Sequence, residues 1–280
     1  MSIQEIVQIL IDSGIEPNEA NIEVKMLIEH FCGFSAMDVI LGKKLDYEKL
    51  KIVKEKALLR ARTKQPIQHI IGFADFMGEK FIVNKHVLIP RDETELLVRK
   101  AIDLIKTAHH GGQSGVRGDM KVLDIGTGSG CIACMIAKFT SAQVLGVDIS
   151  TDALNTALDN ASRLNLFNKA IFRKSDIFSN VHEKFDVIVS NPPYIPFGTP
   201  VQKELEFEPK ISLFAKDGLE FYERICAEAP KLLNPGGWLL FELGAGQSQD
   251  VKALMHGFKS IEILKDLAGI ERVIAGRFIA

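Results

Sequence analysis

The spacing of apolar residues changes along the chain and separates it into regions of different character. In residues 1–64, apolar positions recur at the three- and four-residue spacing of a helix, as at Val24, Leu27 and Ile28. Glycine and proline residues interrupt this pattern at intervals, as they do between helices. The region therefore predicts a small helical bundle.

The pattern changes again at residues 65–90, where short β-prone runs predict a hairpin that links two domains. In residues 91–280, short buried runs alternate with amphipathic segments, which predicts a largely parallel sheet with helices on both faces. Two late apolar stretches, 261–264 and 272–275, flank a turn and predict an antiparallel hairpin. We therefore expect an α/β fold, with a helical domain at 1–64, a β-hairpin linker at 65–90 and an α/β domain at 91–280.

A glycine-rich turn follows the first predicted strand of the α/β domain, residues 121–125. The glycines stand at every second position, not in the Gly-x-Gly-x-x-Gly pattern of dinucleotide-binding proteins, and they let the backbone approach a ligand closely. The next predicted strand ends at Asp148, about twenty residues on, where a carboxylate can accept hydrogen bonds from a ribose diol. Asp176 follows a third strand and is placed to hold the exocyclic amine of an adenine. The residues predicted to bind an adenosyl cofactor are Gly126, Thr127, Gly128, Ser129, Gly130, Asp148 and Asp176.

The sequence Asn-Pro-Pro-Tyr follows the fourth predicted strand. It suits a reaction in which a planar nitrogen must act as a nucleophile, because the lone pair of such a nitrogen is tied up in resonance. An Asn side-chain oxygen and a nearby backbone carbonyl can accept both N–H hydrogens and leave the lone pair facing outward. Proline adds no competing N–H, and tyrosine can pack against the planar group. We predict that the substrate is bound and activated by Asn191, Pro192, Pro193 and Tyr194, with Asn191 also next to the cofactor.

Composition narrows the classes of function. The chain has 280 residues, 46% of them hydrophobic, and its longest apolar runs are far too short to cross a bilayer. Those short runs lead us to expect no membrane association. The net charge of −2 shows that the chain does not have the basic excess of a nucleic-acid enzyme, so we expect no stable nucleic acid partner. Four cysteines give no disulfide framework and the histidines no metal-binding spacing, so we expect a reducing cytoplasm and no metal. Cys131 and Cys134 are interpreted as small apolar residues of a helix.

One basic stretch, Lys43–Lys64, departs from this charge balance, with nine basic and three acidic residues. Such a stretch is usually the solvated face of a helix. The alternative is a docking surface for an acidic partner. Replacing Lys54, Arg60 and Lys64 by Glu is expected to leave folding intact and to weaken docking if the alternative is right.

Together these motifs resemble the class I S-adenosylmethionine-dependent methyltransferases, in which Asn-Pro-Pro-Tyr marks transfer to planar nitrogens. More narrowly, the chain resembles the peptide-chain release factor glutamine methyltransferases, the HemK/PrmC family, through stretches at 65–72, 88–91, 206–209, 217–219 and 268–272. The resemblance implies a Rossmann-like, seven-stranded sheet and S-adenosylmethionine as cofactor, with S-adenosylhomocysteine as product. It implies transfer to the side-chain amide nitrogen, N5, of the glutamine in the Gly-Gly-Gln motif of release factors. It also places Ile177 where family members often carry an aromatic residue against the adenine.

Three interpretations stay open at this point. The first is glutamine methylation of release factors by a monomer, which the helical region and the family-typical stretches favour. The second is methylation of an exocyclic amine of adenine or guanine in DNA or RNA, and the third is a non-catalytic nucleotide-binding module. The chain also contains its own Gly-Gly-Gln sequence at Gly111, Gly112 and Gln113, where coincidence is the simpler explanation and self-methylation a hypothesis.

Overall fold

A computed structural model describes residues 2–35, 37–38, 41, 43, 45–110 and 120–279. The sequence Gly111-Gly112-Gln113 lies outside these described residues. Contacts divide the chain into two compact units, each built around its own apolar core. The helical unit comprises Met1–Phe73 and Val201–Phe207, and the α/β unit comprises Ala74–Pro200 and Glu208–Ala280.

The described part of the helical unit confirms the predicted N-terminal helices. Ser2 begins the first helix with a reciprocal cap, because its Oγ accepts from Glu5 N and its own N–H donates to the Glu5 carboxylate, each at 3.2 Å. Gly33 ends the second helix at a φ of 68°, a conformation that side chains disfavour. Apolar residues of the helices, among them Leu10 and Leu27, form one buried cluster. The elements are α1 (Ile3–Asp12), α2 (Pro17–Cys32), α3 (Tyr47–Thr63), α4 (Ile67–Ile71) and a 3₁₀ segment (Lys203–Phe207).

A hairpin follows α4 and lies within the predicted bounds of 65–90, in their middle part. Strands β1 (Phe73–Phe76) and β2 (Glu79–Ile82) pair as a two-stranded sheet. The residues before β1 are helical, since Ile67 and its apolar neighbours in α4 pack into the core of the helical unit. The boundary between the compact units accordingly falls between Phe73 and Ala74, not after residue 64.

Arg60 is buried and does not belong to an exposed basic face. Only 3% of the residue is exposed. Its Nε lies 3.1 Å from both carboxylate oxygens of Glu23, and its Nη1 lies 3.0 Å from Glu204 Oε1. Arg60 therefore holds two carboxylates of the helical unit together.

This burial corrects the substitution proposed from the sequence. A Glu at position 60 would place a third carboxylate beside Glu23 and Glu204, so folding would not stay intact, and that expectation was wrong. Lys64 is also partly buried and donates to the carbonyl oxygen of Ser13. Lys54 is exposed, as expected of a docking residue, and Lys44 lies outside the described residues.

The α/β unit confirms the predicted α/β fold with a mostly parallel seven-stranded sheet and a final antiparallel hairpin. Its strands are β3 (Lys121–Ile125), β4 (Gln143–Asp148), β5 (Ala170–Lys174), β6 (Phe185–Ser190), β7 (Ile195–Pro196), β8 (Phe214–Ala215), β9 (Leu233–Glu242), β10 (Phe258–Lys265) and β11 (Glu271–Phe278). The large sheet has the order β10-β11-β9-β6-β3-β4-β5, and β7 pairs with β8 separately. Strand β11 runs antiparallel to both of its neighbours. Strand β3 lies centrally and pairs in parallel with β4 and β6.

Helices cover both faces of this sheet, as the alternating pattern predicts. Val122 of β3 points into one apolar cluster with side chains of the helices before and after that strand, whereas Leu123 points into a second cluster on the other face. The helices are α5 (Thr94–His110), α6 (Cys131–Phe139), α7 (Thr151–Arg163), α8 (Glu220–Leu232) and α9 (Ser248–Leu254). None of the described helices combines the length and the apolar character that crossing a membrane requires.

Candidate active site

A cavity of about 380 Å³ lies at the carboxyl ends of the central strands of the α/β unit. Ligands of open α/β sheets bind at this edge. Residues that follow four different strands line it, and these include most of the predicted site. The predicted residues in the lining are Gly126, Gly128, Asp148, Asp176, Ile177, Asn191, Pro192 and Pro193. The predicted residues that are not in the lining are Thr127, Ser129, Gly130 and Tyr194.

The glycine turn after β3 is held against β4 by backbone hydrogen bonds. The N–H groups of Gly126 and Thr127 both donate to the Val147 carbonyl at 2.9 Å. Gly130 begins α6 at a φ of 78°, and a Cβ there would lie 2.9 Å from the Ala157 Cβ. Glycine is therefore required at position 130 for the packing of α6 against α7. Gly130 itself does not line the cavity.

Asp148, at the end of β4, has its carboxylate fixed in the cavity wall. Its Oδ2 accepts from Gly128 N at 3.0 Å and its Oδ1 accepts from Ser150 N at 2.9 Å. Burial raises the pKa of Asp148 from its ordinary value. Because each carboxylate oxygen can accept more than one hydrogen bond, this arrangement orients the group and leaves it capacity for a ligand hydroxyl.

Asp124 is the most deeply buried acid near this turn, with no exposed surface. Its Oδ2 accepts from Thr127 Oγ1 at 2.6 Å and from Ala133 N at 3.2 Å. Its Oδ1 has no hydrogen-bond partner among the described residues. Burial raises the pKa of Asp124 to about 7. A buried carboxylate oxygen without a donor is costly, so a cationic ligand group would stabilise it.

Asp176 and Ile177 follow β5, as predicted, but Asp176 has a protein partner that the sequence did not reveal. Its Oδ1 lies 2.8 Å from Arg224 Nη2, and Arg224 also lines the cavity from α8. Ile177 is buried and has a positive φ of 49°. Arg224 occupies one oxygen of the Asp176 carboxylate, so the predicted hydrogen bond from an adenine amine would have to be made to the same group while Arg224 is bound.

Asn191 follows β6 and is oriented from behind the cavity. Its Nδ2 donates to Thr94 Oγ1 at 3.3 Å, and the Thr94 hydroxyl donates to Glu242 Oε2 at 2.6 Å. Among the described residues, none donates a hydrogen bond to Asn191 Oδ1. The side-chain oxygen is thus the atom of Asn191 that a substrate N–H can reach.

Tyr194 is mostly enclosed by protein and is not in the cavity lining. Burial raises its pKa to about 12. Its carbonyl oxygen accepts from Gln247 Nε2 at 3.1 Å, and the same nitrogen donates to the Gly218 carbonyl at 3.2 Å. Gln247 therefore anchors the end of the tetrapeptide, a contribution that no local sequence signal indicated. Packing of Tyr194 against a substrate stays a prediction.

Two of the family-typical stretches meet at Glu208, which is 4% exposed. Its Oε2 accepts from Ile89 N at 2.8 Å, and its Oε1 pairs with the Arg91 guanidinium. Glu208 therefore ties residues 89–91 to the segment that follows the tetrapeptide, whereas Glu206 is exposed.

Cys131 and Cys134 are both buried, as expected of small apolar residues of a helix. Burial raises the pKa of the Cys131 thiol to about 12.

Comparisons with known proteins agree with this geometry. Residues 114–205 match the family described as "Methyltransferase small domain". A solved methyltransferase structure from Pyrococcus furiosus has the same fold, with a TM-score of 0.53 and 22% identity over 84% of this chain and 100% of that chain. The fold is that of the class I methyltransferases.

Relatives along nearly the whole chain identify the family within that class. A release factor glutamine methyltransferase of Geobacter sulfurreducens is 38% identical over 281 residues, covering 96% of this chain and 92% of the relative. A protein of the same name from Chlorobaculum tepidum is 34% identical over 270 residues, covering 91% of this chain and 89% of the relative. The chain belongs to the release factor glutamine methyltransferase family, as the sequence motifs predicted.

Proposed function

We propose that this enzyme transfers a methyl group from S-adenosylmethionine to N5 of the glutamine side chain in the Gly-Gly-Gln motif of peptide chain release factors. The names of its relatives support the substrate. The observation that carries the chemistry is the orientation of Asn191, whose Nδ2 is bound by Thr94 and whose Oδ1 is left for a substrate. The products are the N5-methylated factor and S-adenosylhomocysteine.

The residues at the strand ends fit the cofactor. Asp148 lines the cavity and is placed for a ribose diol. Asp124 lies behind the lining, fully buried, and its unpartnered Oδ1 suits the ammonium group of an amino acid if the bound ligand reaches that depth. Gly126 and Gly128 let the backbone come close to the ligand. When bound, S-adenosylmethionine supplies a methyl group attached to a positively charged sulfur, which a nucleophile can attack.

The substrate amide must be turned so that its nitrogen lone pair faces that methyl group. Asn191 Oδ1 and a backbone carbonyl of the tetrapeptide would accept the two N–H hydrogens, and Pro192 adds no N–H to compete. These hydrogen bonds strengthen as the nitrogen becomes positive, so they stabilise the transition state more than the bound substrate. Positioning supplies up to about 7–11 kcal/mol in favourable systems, whereas a neutral hydrogen bond contributes about 1 kcal/mol net.

No general base is needed, because a methylated, protonated amide is acidic enough to lose its proton to water. We expect the enzyme to act in the cytoplasm as a monomer, without a metal. The role of the helical unit is to help hold the protein substrate, and its exposed lysines are the candidates for that contact.

Transfer of labelled methyl groups tests the proposal. The purified enzyme is incubated with methyl-labelled S-adenosylmethionine and, in parallel, with a release factor, its Gly-Gly-Gln Gln→Ala variant, and DNA or RNA. Label is expected in the unaltered factor alone, and peptide mass spectrometry should place one methyl group on the glutamine amide. Label in nucleic acid, or equal label in the two forms of the factor, would contradict the substrate assignment.

A further inference from the structure

Three side chains form a hydrogen-bonded row that ends at the predicted catalytic asparagine. Glu242 is the last residue of β9 and Thr94 the first of α5, and each is 2% exposed. The Thr94 hydroxyl donates to Glu242 Oε2 at 2.6 Å and accepts from Asn191 Nδ2 at 3.3 Å. Neither Thr94 nor Glu242 is among the residues lining the cavity.

The direction of each hydrogen bond follows from the number of protons available. A threonine hydroxyl has one proton, and an ionised carboxylate can only accept. Once Thr94 donates to Glu242, its oxygen can only accept from its other neighbour. The NH2 group of Asn191 is the end of that side chain that can donate. The row therefore selects one of the two orientations of the Asn191 amide.

The opposite orientation is penalised by the same count of protons. Turned over, Asn191 would bring Oδ1 toward Thr94 Oγ1, and two acceptors would face each other in a buried place without a proton between them. An unmade hydrogen bond of a buried polar group is more costly than an ordinary bond is favourable. The NH2 group would then point to the substrate side, where it could not accept an N–H.

We propose that Thr94 and Glu242 are positioning residues for methyl transfer, which hold the Asn191 amide with its oxygen toward the substrate. The inference rests on the proposed function, because it assigns these residues to the same site. They act through Asn191 and touch neither substrate nor cofactor. Burial raises the pKa of Glu242 to about 7, so its carboxylate form, which enforces this orientation, is populated at and above neutral pH.

The test compares Thr94→Val, which keeps the shape and removes the hydroxyl, with Thr94→Ser, which keeps the hydroxyl. For Thr94→Val, kcat should fall by about 10- to 100-fold, the loss expected for one or two misdirected hydrogen bonds. The dissociation constant of S-adenosylmethionine, measured by calorimetry, should change little, and KM for the release factor should change less than kcat. Thr94→Ser should restore most of the lost turnover.

Tyr222→Phe is the matched control. The Tyr222 hydroxyl is fully buried and donates at 2.8 Å to the backbone carbonyl of Glu242, not to its side chain. This variant loses a buried hydrogen bond at the same residue and leaves the row to Asn191 in place. Its Tm should fall about as far as that of Thr94→Val, while its kcat stays near that of the unaltered enzyme.

Three results would overturn the inference: unchanged kcat for Thr94→Val, equal losses for Thr94→Val and Thr94→Ser, or an equal loss of kcat for Tyr222→Phe. Should Thr94→Val fail to fold, Glu242→Gln takes its place. The Gln amide can donate to Thr94 and release the Thr94 proton toward Asn191, so kcat should fall at unchanged cofactor affinity, and unchanged kcat counts against the inference. Failure of the proposed function appears differently, as absence of label in the release factor with the unaltered enzyme.

Discussion

Charged groups are buried in both units, but they are partnered in different ways. In the helical unit, Arg60 bonds to Glu23 and Glu204, so opposite charges satisfy each other. In the α/β unit, Asp124 and Glu242 accept hydrogen bonds, among the described residues, only from neutral donors, which are hydroxyl, amide and backbone N–H groups, and burial raises the pKa of each to about 7. The helical unit uses buried charge to hold its segments together. These two acids of the α/β unit lie buried behind the cavity lining without a cation bonded to them from the described part of the chain, at a cost in stability.

The largest expected effect tests the helical half of this comparison. Arg60→Ala leaves Glu23 buried without its cation and should lower the free energy of unfolding by about 3–5 kcal/mol. Urea denaturation measures this, and calorimetry should show unchanged affinity for S-adenosylmethionine. The control is Arg60→Met combined with Glu23→Leu, which removes both buried charges and should regain most of the loss. A loss below about 1 kcal/mol in the single variant would mean that Arg60 behaves as a surface ion pair.

In the α/β unit, a substitution in the predicted active site should lower kcat and leave the fold intact. Asn191→Ala should lower kcat by about 100- to 1000-fold, the range seen when one preorganised hydrogen-bonding group is removed from an active site. Cofactor affinity should be far less affected. Asn234→Ala is a suitable control, because Asn234 Nδ2 donates to Asp186 Oδ1 and neither residue lines the cavity. Near-normal turnover of Asn191→Ala would remove its assigned role.

Asp124→Asn should separate stability from ligand binding. The pKa of Asp124 is about 7 in the folded state against 3.8 ordinarily, so the unfolded chain loses this proton first as the pH rises. Unfolding is therefore favoured progressively from about pH 4 to about pH 7, and the effect is constant above that window. Without cofactor, the Asn variant should be more stable than the parent at pH 8 by about 1–3 kcal/mol. Its cofactor affinity should fall by about tenfold or more, since a charge-assisted hydrogen bond is lost. A variant that gains stability without losing affinity would show that Asp124 does not bind the cofactor.

The pH dependence of turnover sharpens the role of Glu242. Above its pKa of about 7 the carboxylate accepts from Thr94, and below it the acid can donate instead. The value of kcat should therefore rise about tenfold between about pH 6 and about pH 8, following the ionised fraction. Glu242→Gln should lack this rise, and a Gln variant with the same profile would point to another group. The other titratable groups facing Glu242 are Glu93, Cys131, Tyr194, Tyr222 and Arg272.

The smallest expected effect concerns the exposed surface of α3. Lys51 and Lys54 are exposed there, unlike Arg60, so replacing both by Glu should leave the fold intact. If this face docks an acidic region of the release factor, KM should rise by about 3- to 10-fold with little change in kcat, more so at low salt. Lys252 and Lys259, exposed in the α/β unit, give a control pair with the same change in charge. Equal effects of the two pairs would exclude local docking.

Local patterns predicted the helices and strands, and they predicted which residues meet at one edge of the sheet. Strand β3 occupies the predicted residues, and Asp148 and Asn191 both line the cavity because parallel strands bring their carboxyl ends together. Helices, strands and turns depend on residues that are close together in the sequence, so the spacing of apolar residues and the turn residues are enough to predict them. The same reasoning explains why the N-terminal helices and the hairpin inside residues 65–90 were predicted from the sequence.

The missed features all depend on residues far apart in sequence. Arg60 meets Glu204 across 144 positions, and Thr94 meets Glu242 across 148. No spacing rule links such pairs. One signal was available, however, because Glu242 ends an apolar run much as Asp148 does, and an acid that closes a buried strand points to the edge where ligands bind. Arg60 carried no such signal, since an arginine on a basic helix is normally solvated.

The segment Val201–Phe207 has a consequence for any attempt to dissect this enzyme. The polypeptide passes between the compact units at residues 73–74, 200–201 and 207–208. Cutting after Phe73 would strip the remaining fragment of the helices that surround Glu204, and the excised bundle would lack a piece of its own framework. A single cleavage therefore cannot separate one compact unit from the other, and a truncated protein would lack part of the unit that it was meant to keep.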